Sequence, residues 1–282
     1  MLDKFAIFIL THGRPNSQLT LDLLRRLGYS GDYYLVVDSQ DKTLQEYINN
    51  FGATNILVFD KNAMVRWTDT GTSSPVFGCG VYARNAIEYM AKKMGYTMFA
   101  QADDDILNFR IRYPIDGRVC SFSLDGRFDE VLSEYIKFAS NENIAYIGFG
   151  NAPAYMGGEA AYDLQSVNFP YAFMIRNGNV KVDWKMNFSD DYATPVSLGV
   201  VGKLCLQVPF VQIDESPVAK VTGNVTGGMV NSYKNQSEVK RAFYMKMIQP
   251  DSLTITQTET GIQLARHGRK LRPKILSGRC KK

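Results

Sequence analysis

Gly95-Tyr96-Thr97-Met98-Phe99-Ala100-Gln101-Ala102-Asp103-Asp104-Asp105 runs from a glycine through a short apolar stretch into three consecutive carboxylates. Tyr96 to Ala102 has the length and boundaries of a buried strand. The stretch before it, Tyr82 to Met94, repeats apolar residues at helical spacing and stops at Gly95, a residue suited to closing a helix. A helix followed by a strand that ends in aspartates puts those acids at the strand's carboxyl end. In open α/β sheets that is where ligands bind.

The same alternation extends back to the start. Phe5–Leu10 is a short apolar run that ends in Thr11-His12-Gly13-Arg14-Pro15. Leu19, Leu23, Leu24 and Leu27 form a helical stripe closed by Gly28, and Tyr33–Val37 is a second strand ending at Asp38. Leu44, Tyr47, Ile48 and Phe51 make a second stripe closed by Gly52, and Asn55–Phe59 is a third strand. A polar loop with Gly71, Ser73, Ser74 and Pro75 leads into the helix before the acids. Strands alternating with helices predict an α/β chain with a mainly parallel sheet covered on both faces. Thr11–Arg14, Asp38 and Asp103–Asp105 should then converge on one rim.

Downstream the pattern is less regular. Phe128–Phe138 reads as a helix, Ala145–Phe149 as a strand, and Asn151–Gln165 as a loop over the site. Tyr171–Ile175 and Leu204–Ile213 read as strands, with a short helix over Asp190–Lys203 between them. Gly223–Gly228 reads as a flexible loop. We expect one domain over 1–282, with a first half at 1–110, a second half at 111–261 and a basic segment at 262–282.

Composition narrows the classes. At 282 residues, 45% hydrophobic and 21% charged, the chain has the make-up of a globular protein. The opening Met1–Leu10 carries an early acid and reads as a strand rather than a secretory leader. No run reaches the roughly 18 apolar residues of a membrane helix, so we expect a cytoplasmic protein with no membrane partner. Cys79, Cys120, Cys205 and Cys280 are far apart and there are two histidines, which argues for reduced thiols rather than a zinc site.

Charge is unevenly placed. Ile262–Lys282 holds eight Lys or Arg and no acid; without them, the 32 basic residues fall to 24 against 28 acidic ones, a formal −4 on the body. Such an arm suits a polyanion, and equally a solubilising terminus.

Asp103, Asp104 and Asp105 would repel one another without a cation. Hard ions such as Mg²⁺ or Mn²⁺ take oxygen ligands, and i and i+2 of an extended stretch point the same way, so Asp103 and Asp105 can share an ion or its diphosphate ligand. A solvated acidic turn or a helix cap is the plain alternative. Arg84, in the first turn of its helix, suits a diphosphate; it could instead pair with Glu88. Arg14 is either a phosphate clamp or a solvated loop residue. Asp190 and Asp191 open a helix, where they can cap it and complement its dipole or serve as a proton-accepting pair. His267 reads as an exposed or phosphate-binding residue among basic neighbours. Tyr155, Tyr162, Tyr171, Phe169 and Trp184 could form an aromatic acceptor surface, or pack in the core.

Gly80-Val81-Tyr82-Ala83-Arg84-Asn85-Ala86, continuing through Ala91, Gly95-Tyr96 and Ala102-Asp103-Asp104-Asp105, resembles the core signature of GT-A glycosyltransferases. That resemblance implies a GT-A (Rossmann-like) fold, with a twisted mixed sheet flanked by helices, a nucleotide-sugar-binding half at 1–110 and an acceptor half at 111–261 in which Asp190 or Asp191 is the general base for an attacking hydroxyl. It implies that Asp103 and Asp105 bind Mn²⁺ or Mg²⁺, and that Arg84, Asn85, Asp103 and Asp104 hold the donor, a nucleotide-sugar such as a UDP-sugar. Thr11, His12, Gly13 and Arg14 are similar to the family's nucleotide-binding loop, and Asp38 falls at a uridine or ribose contact. A late histidine, here His267, is a further metal ligand in many members.

The His12-Gly13-Arg14-Pro15 loop, the triple aspartate and Phe188-Ser189-Asp190-Asp191 resemble the TET-associated glycosyltransferases. That implies transfer onto 5-hydroxymethylcytosine in phage DNA, in the host cytoplasm, with the basic segment following the phosphates. Two alternatives stand beside it: a transferase acting on a polysaccharide or protein, and a catalytically silent nucleotide-sugar or nucleic-acid binding module.

Overall fold

The computed structural model describes residues 2–71, 80–116, 118–151, 172–187, 190–216, 243–247, 250–258 and 261–266. The loop Asn151–Gln165 lies outside these apart from its first residue. Tyr155, Tyr162, Phe169, Tyr171, Phe188, Ser189, Gly223–Gly228, His267 and the rest of the basic segment also lie outside them.

The first half follows its sequence pattern. Strand β1 (Phe5–Leu10), helix α1 (Leu19–Leu27), strand β2 (Asp32–Asp38), helix α2 (Leu44–Phe51) and strand β3 (Ile56–Phe59) succeed one another. The leucine stripe of α1 is buried, and Gly28 ends the helix at φ 74°, a left-handed conformation that glycine adopts without steric cost. A short helix absent from the sequence reading, α3 (Lys61–Trp67), starts where the Asp60 carboxylate accepts the Ala63 N–H at 3.1 Å. Helix α4 (Val81–Lys93) then leads into β4 (Met98–Asp103).

The second half departs from expectation directly after the acids. Residues Ile106–Ile115 and Arg118–Ser123 form a hairpin, β5 and β6, followed by α5 (Phe128–Ala139), β7 (Ile144–Asn151) and β8 (Phe173–Asn177). Helix α6 (Asp190–Val200) and the long β9 (Leu204–Glu215) come next. A separate hairpin, β10 (Leu253–Thr258) with β11 (Gly261–Arg266), lies near the end.

Nine strands make one sheet in the order β3-β2-β1-β4-β8-β7-β9-β5-β6. The α/β expectation holds, and the sheet is mixed, as expected from the resemblance, where the strand–helix alternation alone suggested a mainly parallel one. β3, β2, β1 and β4 run parallel, as do β7 and β9, whereas β8 runs against both neighbours and β5 against β9 and β6. The division expected at residue 110 falls inside β5, and a single sheet runs through both halves. The boundary at 262 falls inside β11, so the start of the basic segment is a paired strand.

Two apolar layers sandwich the sheet. One packs α1 and α5 through Leu21, Leu24, Phe128 and Leu132 against Ile7, Ile9, Phe149 and Phe173. The other packs α4 through Tyr82, Ala86 and Ile87 against Phe8, Phe99 and Met174, with Trp184 beneath. No helix among the described residues is long and apolar enough to cross a membrane.

Candidate active site

Parallel pairing brings the ends of β1, β2 and β4 level: Leu10 lies opposite Val36 on one side and Asp103 on the other. The loop after β1, Asp38 after β2 and the acidic triplet after β4 therefore meet on one rim.

Thr20, at the start of α1, fixes the acidic turn. Its hydroxyl donates to the Asp103 carbonyl at 2.6 Å and accepts the Ile106 N–H at 3.0 Å, while its own N–H reaches the Asp104 carbonyl at 3.2 Å. These bonds hold the backbone so that the three side chains diverge. Asp104 turns inward, accepting the Thr11 hydroxyl at 2.6 Å and Arg14 Nη1 at 2.7 Å. Burial pushes its carboxyl up to about 6, although Arg14 and Thr11 pull the other way. Asp103 and Asp105 face outward with Glu215, the last residue of β9, and one carboxylate oxygen from each lies within 4.8 Å of the others. The Ser216 N–H bonds the Asp105 carbonyl at 2.9 Å, tying the end of β9 to the acidic turn. Burial raises Asp103 well above the usual carboxylate range; Arg84 opposes this, and Asp105, Glu215 and Asp104 add to it. Burial raises Asp105 as well, against the pull of Arg14.

Arg84 lies beneath this cluster, 5% exposed. Its Nη2 donates to Asp103 Oδ1 and its Nε to Asp190 Oδ2, both at 3.0 Å, with the guanidinium 5.5 Å from the centre of the Trp184 ring. Burial works against its charge, but Asp103, Asp190 and Asp191 outweigh that and raise its pKa. One arginine thus joins the acids of β4 to the first turn of α6. Burial raises Asp190 too, with Arg84 opposing. Asp191 shares that turn and is partly exposed.

The loop after β1 is fastened from below. Gly13, at φ 68°, donates its N–H to Asp41 Oδ2 at 2.7 Å, and the Arg14 N–H bonds the buried Tyr47 hydroxyl at 2.8 Å. His12 Nδ1 lies 2.6 Å from Asp38 Oδ2, which also accepts the nearly buried Lys61 ammonium at 3.2 Å. Burial would raise Asp38, but the His12 hydrogen bond, Lys61 and the Gln40 N–H together hold it below the usual range.

The structure therefore gathers Thr11, His12, Gly13, Arg14, Asp38, Arg84, Asp103, Asp104, Asp105, Asp190 and Asp191 around one rim. Asn85 is engaged elsewhere: its amide bonds the Trp184 backbone N–H and carbonyl and the Thr68 hydroxyl. It anchors the segment that carries Trp184 beneath Arg84. Lys61 joins Asp38 rather than surface solvent, and Arg84 pairs with Asp103 and Asp190 rather than Glu88, which is taken by buried Arg176 at 2.6 Å. Glu215, Thr20 and Lys61 escaped the sequence reading. Glu215 alone had a readable signal, since Asp214-Glu215 follows the apolar run of β9 just as Asp103 follows that of β4.

The model of the TET-Associated Glycosyltransferase family matches residues 5–224. Among solved structures, the chain is similar to glucosyl-3-phosphoglycerate synthase from Mycobacterium tuberculosis in complex with Mn²⁺, uridine diphosphate and phosphoglyceric acid, at 8% identity and TM-score 0.46, over 94% of this chain and 86% of that one. The same enzyme with Mn²⁺ and UDP-glucose gives 6% identity and TM-score 0.46, with coverage of 94% and 86%. A mycobacterial protein gives 10% identity and TM-score 0.44, with coverage of 94% and 83%. Likeness at this level identifies neither substrate nor site. No curated protein matches the chain.

Proposed function

The chain belongs to the TET-associated glycosyltransferases, and we propose that it moves a sugar from a UDP-sugar onto 5-hydroxymethylcytosine in phage DNA, on a GT-A framework and with Mn²⁺ or Mg²⁺. The observation that carries this reading is the meeting of Asp103, Asp105 and Glu215 within 4.8 Å at the ends of β4 and β9. The donor set is wholly carboxylate oxygen, which suits Mg²⁺ or Mn²⁺. Burial and mutual repulsion already raise Asp103, a strain that a divalent charge relieves. When bound, the cation would offset charge developing on the departing diphosphate.

The chain's own groups do the rest. Arg84 and Arg14 keep two guanidinium groups beside the acids, where diphosphate oxygens would meet them. The fastened loop Thr11–Arg14, with Asp38 beside His12, borders the nucleoside end. Asp190, held by Arg84, and Asp191 stand where an acceptor hydroxyl would approach. In an inverting reaction one of them takes the proton, and a carboxylate raised by burial is the stronger base.

The test is mass spectrometry of nucleosides from 5-hydroxymethylated and unmodified DNA after incubation with Mn²⁺ and a panel of nucleotide-sugars. Sugar should appear only on the hydroxymethylated base. Transfer to saccharide or protein acceptors with none to DNA would overturn the acceptor assignment. DNA binding with neither transfer nor donor hydrolysis would identify a silent binding module.

A further inference from the structure

The β5–β6 hairpin leaves the metal-binding carboxylates directly. It begins one residue after Asp105, and Ile106 at its base lies opposite Glu215 of β9. β6 ends the nine-stranded sheet, with no further strand beside it among the described residues. The hairpin is therefore a two-stranded ribbon whose root is the acidic cluster and whose outer edge is exposed.

Its two faces differ in chemistry. Cross-strand register places Arg110 opposite Ser123 and Arg112 opposite Ser121, so arginines and serines share one face. Ile111, Tyr113 and Ile115, opposite Phe122, Cys120 and Arg118, occupy the other. The first face carries two arginines, Arg110 and Arg112, against one acid, Asp214 of β9, which lies 3.9 Å from Arg112 and also pairs with Arg110, on a body that is otherwise net acidic. Ser121 and Ser123 are exposed, and Arg110 keeps 42% of its side chain in solvent while its Nε bonds Asp214 at 2.6 Å. Arginine and hydroxyl donors side by side on one face match phosphate oxygens. Helix α6, with Asp190 and Asp191 in its first turn, packs on β9, which the ribbon also borders.

We infer that the arginine–serine face of the β5–β6 ribbon is a docking surface for the phosphate backbone of a DNA duplex, holding it while one base reaches the acidic rim. This rests on the DNA reading above and adds the surface that would engage the duplex. Nine residue steps from Ile106 to Ile115, at about 3.4 Å each, carry the ribbon about 30 Å from the cluster. That is close to one turn of B-DNA, roughly 10 base pairs. The ribbon tip would thus meet phosphates about one turn from the base being modified.

The test is a variant with Ser121→Glu and Ser123→Glu, and a second with Arg118→Glu. The glutamates fall opposite Arg112 and Arg110, so they pair with the arginines and leave the ribbon folded. Duplex binding is followed by fluorescence anisotropy on 12- and 30-base-pair hydroxymethylated DNA across a salt series, alongside donor hydrolysis without DNA. Neutralising two arginines should weaken binding of the 30-mer roughly tenfold and flatten the log–log salt slope by about 2. Arg118→Glu, whose charge lies on the other face, should keep the parent's affinity and slope; an equal loss there would assign the effect to net charge and overturn the ribbon face. Donor hydrolysis should match the parent in both. Parent-like affinity and slope in the double glutamate variant, with the parent binding DNA well, would overturn the ribbon assignment and leave the DNA reading standing. A parent that hydrolyses donor but binds no DNA would overturn both. A parent dimer that the glutamates dissociate would assign the face to a second copy of the chain and overturn the proposal.

Discussion

Replacing Arg84 with methionine removes the one cation shared by Asp103 and Asp190 while keeping much of the side chain's volume over Trp184. Both carboxylates would then be partly buried without the partner that offsets their desolvation. Breaking a buried pair from one side costs about 3–5 kcal/mol; since Asp103 and Asp190 retain 23% and 16% side-chain exposure, the lower end applies. For a chain of this size that lowers Tm by about 6–10 °C. The loss should depend on pH. Burial already raises Asp103 and Asp190 in the parent, against the pull of Arg84, and the substitution raises both further. A carboxyl raised on folding loses stability as pH climbs from its unfolded value near 3.9 through its folded value. The deficit should therefore be largest at pH 8 and shrink toward pH 5, where the acids hold their protons. Mn²⁺ should recover part of it by supplying positive charge at Asp103. The assay is thermal unfolding of parent and Arg84→Met at pH 5 and pH 8, with and without Mn²⁺. Melting within about 1 °C of the parent at both pH values would refute the reasoning, because it would mean that the two acids do not depend on Arg84.

Asp190→Asn and Asp191→Asn separate capping from catalysis, since asparagine caps as well as aspartate; loss of the base should lower turnover roughly 10²–10⁴-fold with donor affinity kept, read from steady-state kinetics. Lys61→Met should destabilise the chain most at neutral pH. Asp38 is held below its unfolded value, so its contribution is complete above about pH 4 and disappears as pH falls through the folded value. Urea unfolding at pH 7 and pH 3 should show the difference between parent and variant closing in acid.

The donor side of the rim was legible because its elements are local. Leucine stripes, closing glycines and short apolar runs specify β1 to β4 without reference to the rest of the chain, and the acid at the end of each strand marks its rim end. The hairpin after Asp105 was not legible. Its strands mix Arg110, Arg112, Ser121 and Ser123 with apolar residues, and the exposed edge of a sheet imposes no buried pattern. Glu215 was hidden for another reason: its role depends on β9 running beside β5, a pairing between residues more than 100 positions apart. Asn85 has a distant partner of the same kind. A polar residue beside Arg84 suggests ligand contact, yet its amide is taken up by the Trp184 backbone, which lies 99 positions away. Lys61 carried no sequence signal, and it becomes buried because α3 brings it onto Asp38.

The central claim is that Asp103, Asp105 and Glu215 hold one divalent cation through which the donor diphosphate binds. Calorimetric titration of UDP into the parent chain, into Asp105→Ala and into Glu215→Gln, each with Mn²⁺ and with chelator, tests it most directly. The account predicts that the parent binds UDP with Mn²⁺ and at least roughly tenfold more weakly with chelator, a loss no smaller than that from disturbing a metal's outer shell. It also predicts that both variants bind as weakly with Mn²⁺ as the parent does in chelator. Equal UDP affinity in all three chains, with or without Mn²⁺, would contradict it.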